Sequence, residues 1–352
     1  MSGYNRLQMR EFQPNTIDRR RPLGRTTFLV VALLVMTPCM IPARGSDSPR
    51  LRTLTFDPQQ HDWTETPPPP PGTSEGDAFA IRQLIKEKKN GPALGRIKKF
   101  IKKYGQGDAQ YPDVLTAKAA ALVGQEEYYQ AHEVLTEFLA QFSGMALTSE
   151  AIRLEIVVAE AFLHGAKRKW LGMAILDGEE VGLRILDQIS ADFPDTEYAE
   201  YALKTKGDFL FRNGDHSLAE LEYSRMARDY PRSRYQQFAV RRSADAALAS
   251  FRGIDYDDAP LIEAADRFGD YRTRYPQFAD REGVGLILDD IREKRGEKEL
   301  VIGQYYERTN HLGSAVFQYE VVLRFWPKTQ AATKAAERLA LLGVGQPVAA
   351  AE

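Results

Sequence analysis

The sequence predicts an all-α, right-handed superhelical solenoid of about five to six stacked helix pairs. Three linked observations point there. An aromatic residue followed by proline closes a helical segment four times, at Phe193-Pro194, Tyr230-Pro231, Tyr275-Pro276 and Trp326-Pro327. Twelve residues before each of those prolines stands a very small residue: Gly182, Ala219, Ala264 and Ala315. Four residues after each small residue stands a large apolar one: Leu186, Tyr223, Phe268 and Tyr319. Self-similarity at a long period marks a chain built from stacked supersecondary units that present a surface.

The body spans residues 75–342. A first unit opens near Glu75, with Ala93, Ile97 and Phe100 on its second helix; another begins near Asp113, with Ala131 and Leu135. Two later units match the tetratricopeptide pattern almost position by position. One covers residues 200–233, with Gly207 and Leu210 on the first helix, Ala219 and Tyr223 on the second, and Pro231 at the end. The other covers residues 296–329, with Gly303, Tyr306, Ala315, Tyr319 and Pro327 at the same offsets. Small residues let two antiparallel helix backbones approach, and the aromatic fills the space beside the crossing. Proline lacks an N–H and cannot continue a helix, so it sets the turn to the next unit. Asn213-Gly214-Asp215 supplies a turn and a cap between two helices.

Between these units stands a looser one with Ala264, Phe268 and Pro276. The proline spacings of 37, 45 and 51 residues exceed the ideal period of about 34. Longer helices or loops must absorb the excess, at residues 164–178, which include Trp170, and at residues 253–260. Residues 278–310 have room for about two helical segments, broken near Arg295-Gly296. Residues 330–342 read as a capping helix, and 343–352 as a disordered tail.

The N-terminal part is different. Residues 26–43 carry no charge and follow Arg19-Arg20-Arg21 and Arg25. A basic start before an apolar run reads as an export signal that leaves the following chain across the membrane. Residues 1–45 are therefore a signal or anchor segment. Cys39 ends the apolar run, where a bacterial lipoprotein carries its acylated cysteine; the small residues around Ala43-Arg44-Gly45 suit ordinary cleavage, and an uncleaved anchor is the third outcome. Residues 46–74, with five consecutive prolines at 67–71, form an extended tether without a core.

The chemistry of catalysis is missing from the sequence. It holds no phosphate-binding glycine loop before a helix, no nucleophile elbow and no HExxH. The five histidines have no metal-site spacing, and a lone cysteine leaves no internal disulfide. No cofactor is called for. Charged residues make up 27% and the net charge is −2, which argues against nucleic acid as a partner. The acidic cluster Asp255, Asp257 and Asp258 reads as a solvated helix cap rather than a calcium loop. Arg212, Arg252 and Arg308 close first helices. On the concave face they would form a basic row for peptide carboxylates, together with Tyr201, Lys204, Asp208 and Phe211. The same arginines also suit helix C-termini simply by complementing the dipole.

Signal segment, tether and divergent repeats together resemble the BamD (ComL) family of outer-membrane assembly lipoproteins. The likeness is clearest from Arg295-Gly296-Glu297-Lys298-Glu299-Leu300 through Gly303-Gln304-Tyr305-Tyr306-Glu307-Arg308, then Ala315-Val316, to Trp326-Pro327-Lys328-Thr329. The resemblance implies a non-enzymatic protein-binding scaffold in the periplasm, attached to the outer membrane through an N-terminal lipid or anchor. Its implied partners are the barrel-inserting component and unfolded outer-membrane proteins. Another periplasmic adaptor, for envelope division, a pilus or secretion, is the alternative. A helical enzyme would need a nucleophile and base, and no such pair can be named.

Overall fold

The computed structural model describes residues 54–57, 62–65, 68–166, 168–170, 173–176 and 178–343. The apolar segment 26–43, Cys39 and the tail from residue 344 lie outside the described residues. The chain divides into two compact units, Met1–Thr66 and Pro67–Glu352. In the first unit, strands β1 (Leu54–Asp57) and β2 (Asp62–Glu65) pair antiparallel, with Phe56 opposite Trp63. A coreless extended tether was expected across this stretch. The described part is a hairpin, in keeping with its aromatic and threonine residues.

The second unit is a run of helix pairs. In chain order these are α1 (Ser74–Lys86) with α2 (Asn90–Tyr104), α3 (Tyr111–Val123) with α4 (Tyr128–Phe142), and α5 (Thr148–Leu163) with α6 (Glu179–Asp192). Then come α7 (Glu197–Arg212) with α8 (His216–Asp229) and α9 (Gln236–Ala249) with α10 (Ala259–Arg274). A short α11 (Pro276–Arg281) leads to α12 (Val284–Arg308) with α13 (Leu312–Phe325), and α14 (Gln330–Leu341) follows. Each helix packs on the next, and first helices also touch across units at α1–α3, α3–α5 and α5–α7. This is the packing of a tetratricopeptide-like solenoid. α14 packs on both α12 and α13 and covers the last pair, as a terminal repeat requires.

The repeat has a local cause. Phe193, Tyr230, Tyr275 and Trp326 are the C-cap residues of α6, α8, α10 and α13, and all four adopt φ of −122° to −132° with ψ of 43° to 63°. The following proline disfavours helical backbone in the residue before it, so each helix stops there. Two residues after Pro194 and Pro327, Thr196 and Thr329 cap the next helix by accepting hydrogen bonds from the Ala199 and Ala332 amides, at 3.3 and 3.1 Å.

Small residues sit where helices cross. Ala219, Ala264 and Ala315 are fully buried, as are Tyr223, Phe268 and Tyr319. A Cβ on Gly207 would stand 2.8 Å from the Tyr223 ring, and one on Gly303 would stand 2.6 Å from the Tyr319 ring. Gly182 lies equally close to α5, against the Ala159 carbonyl.

Two stretches differ from the sequence expectation. Residues 164–178 are not a longer helix or a plain loop; they contain a second antiparallel hairpin, β3 (Arg168–Trp170) with β4 (Met173–Leu176), inserted between α5 and α6. The break expected near Arg295-Gly296 does not occur. α12 runs through it for 25 residues, and Gly296 is buried under Trp326, Thr329 and Ala331. That glycine permits a close approach and ends nothing. Residues 253–260 do form the loop that precedes α10 and enter its first turn.

Candidate protein-binding surface

The first helices of the middle units carry a connected polar and aromatic surface. On α7, Tyr201 donates its hydroxyl to Glu160 of α5 at 2.8 Å. Lys204 pairs with Asp208 one turn on at 2.6 Å and lies 4.9 Å from the centre of the Phe238 ring of α9. Asp208 also accepts the Tyr223 hydroxyl at 2.5 Å. Phe211 lies under the guanidinium of Arg242 from α9, 3.9 Å from the ring centre. Residues 201, 204, 208 and 211 repeat every three to four positions, which places them on one helical face. The structure ties this face to α5 on one side and α9 on the other.

The arginines of the expected basic row are placed separately. Arg212 is exposed at the last position of α7, and its Nε donates to the Asp208 carbonyl at 3.3 Å. That contact satisfies a carbonyl at the helix end. Arg252 is exposed in the loop after α9, and Arg308 is exposed as the last residue of α12. Among the described residues no contact joins these three to one another.

Sequence reasoning missed the arginines that do most to connect the units. Arg242 spans Phe211 and Tyr223. Arg241 stacks 4.9 Å over Phe268 while reaching Asp245 at 3.1 Å and Glu282 at 3.4 Å. Arg295 stacks 4.6 Å over Trp326 and pairs with Asp258 at 3.3 Å. Asp258 thus joins α12 to the loop before α10, and Asp257 caps α10 through the Ala259 amide at 3.1 Å. The arginine pair at 241–242 was visible as a charge doublet, but most of its partners, Phe211, Tyr223, Phe268 and Glu282, come from other elements.

A tyrosine–carboxylate bond recurs beside the crossing glycines. Tyr223 donates to Asp208, and Tyr319 donates to Glu307 at 2.6 Å. Burial and the adjacent carboxylate raise both phenols; Tyr319 is pushed up to about 12. Glu307 is lowered from the usual carboxylate range, first by its hydrogen bonds from Arg338 of α14 and then by Tyr319. The capping helix is therefore bonded to the last first helix through a charge-assisted pair.

Among the described residues no group of three or more His, Cys, Asp or Glu side chains is placed to hold a metal ion. No described helix is long and apolar enough to cross a membrane. The arrangement is suited to holding polypeptide: aromatic rings, guanidinium groups and carboxylates lie along a rigid succession of helices. No curated protein matches the chain. The profile of a family described as YfiO, outer membrane lipoprotein, matches residues 179–342, from the start of α6 to the end of α14. Over those residues, this chain is similar to the YfiO, or BamD-like, family of outer membrane lipoproteins.

Proposed function

We propose that this chain serves β-barrel assembly at the outer membrane, holding the barrel-inserting protein on its C-terminal repeats and passing extended client segments along its first helices. The observation that carries this reading is the family match over residues 179–342. The family is one of periplasmic, non-enzymatic adaptor lipoproteins, and the chain is a protein-binding scaffold of that kind, exported and held at the outer membrane. The α7–α9 surface supports the finer reading, because its exposed arginines suit acidic or C-terminal peptide groups. Attachment runs through the segment before the repeats; mass spectrometry of the mature chain distinguishes an acylated Cys39, a start near Ser46 and an intact apolar segment.

Affinity capture in mild detergent tests the proposal. Recovery of a barrel-insertion protein with bound outer-membrane clients supports it. Recovery of cell-wall, pilus or secretion components in its place overturns the assignment to barrel assembly and leaves an adaptor of another system.

A further inference from the structure

α4 and α6 are successive second helices, and both pack on α5. An open groove runs between them. Thr136, Leu139 and Ser143 form its α4 wall, and Ile185, Ile189 and Asp192 its α6 wall. Each set recurs at three- or four-residue spacing, so each is one face of its helix. The groove has a volume of ≈ 330 Å³, which suits a long side chain rather than a water or two. A smaller cleft of ≈ 210 Å³ adjoins it across Gln188 and carries His132 and Arg184.

The floor of the larger groove is unusual. Glu155 of α5 lines it, yet is only 2% exposed. Its neighbour is His132, whose Nδ1 lies 3.1 Å from both carboxylate oxygens. One ring nitrogen brings at most one proton, whereas a carboxylate has about four acceptor sites. Burial raises the Glu155 carboxyl above its ordinary range, and the bond with His132 offsets this only in part. Asp192 adds a second carboxylate at the rim, and no cationic residue lines the larger groove. Arg184 lies in the neighbouring cleft, beside the His132 imidazole. Apolar walls with carboxylates at floor and rim match one kind of side chain: a hydrocarbon stem ending in a positive charge.

We propose that the groove between α4 and α6 receives an arginine or lysine side chain of a protein partner, with its stem on Leu139, Ile185 and Ile189 and its charged end toward Glu155 and Asp192. An acidic side chain would meet two carboxylates there. A purely apolar one would bring no counter-charge to either carboxyl group. This contact lies on different helices from the α7–α9 surface and is independent of the barrel-assembly reading.

The test titrates the full-length chain with Nα-acetyl-arginine amide, using the norleucine and glutamate counterparts as controls. Methyl resonances of Leu139, Ile185 and Ile189 report occupancy. The arginine compound is expected to shift them, the norleucine compound to bind about tenfold more weakly, and the glutamate compound to leave them unmoved. Thr136→Trp, at an exposed position of the wall, should abolish the shifts with helicity unchanged. Asp192→Asn and Glu155→Gln should bring the arginine compound down toward norleucine affinity. Should Glu155→Gln fail to fold, Thr136→Trp and Asp192→Asn still decide. Equal binding of the arginine and norleucine compounds, shifts that survive Thr136→Trp, or no shift with the arginine compound overturns the proposal.

Discussion

Replacing Gly303 with alanine is expected to destabilise the last repeat, although alanine is the better helix former. The added Cβ would lie 2.6 Å from Cε1 and 2.8 Å from Cδ1 of Tyr319, where ordinary contact begins at 3.4 Å. The ring must therefore retreat by roughly 0.8 Å or the helices must part. Retreat is blocked, because the ring is fully buried and its hydroxyl is bonded to Glu307 at 2.6 Å. Overpacking of this kind costs about 1–3 kcal/mol. Alanine in place of glycine inside a helix returns about 1 kcal/mol, so the net loss reaches about 2 kcal/mol. Gly269 in α10 is the internal control: nothing lies within 4 Å of a Cβ built there. Gly269→Ala should stabilise by up to about 1 kcal/mol, so the difference between the two substitutions isolates the packing cost. Urea unfolding followed by circular dichroism gives both values, provided the slope stays constant. Adding Tyr319→Leu should remove most of the Gly303→Ala penalty. If Gly303→Ala and Gly269→Ala change stability by the same amount in the same direction, the crossing-point argument is wrong.

Ala219→Leu and Ala315→Leu place a larger side chain at fully buried crossings and should each cost about 1–3 kcal/mol; a melting curve superimposable on the parent would contradict this. Glu307 is lowered by its bonds from Arg338 and Tyr319, so it contributes stability above the ordinary carboxylate range and loses it as pH falls through its lowered value. Arg338→Gln should therefore move the acid unfolding of the C-terminal repeat to higher pH, and an unchanged acid limb would show that the pair is immaterial. Changing Arg212, Arg252 and Arg308 together to glutamate should weaken capture of acidic or C-terminal peptides with little change in melting, since exposed charges contribute little to stability. That binding should also fall with salt, which screens such contacts over about 10 Å at 0.1 M. Arg242→Ala should loosen the α7–α9 junction by removing the cover from Phe211; hydrogen exchange along both helices would show it, and unchanged exchange would assign Arg242 no role there.

The solenoid was legible because its signals are local. An aromatic before proline must leave the helical region, and four of them do so with nearly the same backbone angles. The offset from small residue to aromatic is likewise a matter of one helical turn. Gly296 shows the limit. Its flanking residues read as a break, but the deciding atoms belong to Trp326, Thr329 and Ala331, about thirty residues later. The two hairpins were missed for a similar reason: short strands depend on the partner they pair with more than on their own composition. The surface was legible in part. Tyr201, Lys204, Asp208 and Phe211 share a face by helical period alone, whereas Arg242 over Phe211 and Arg338 on Glu307 join residues 31 apart. Periodicity assigns a side chain to one face of its own helix. Which guanidinium or carboxylate it meets depends on how neighbouring helices are rotated and displaced, and that is settled by packing throughout the stack.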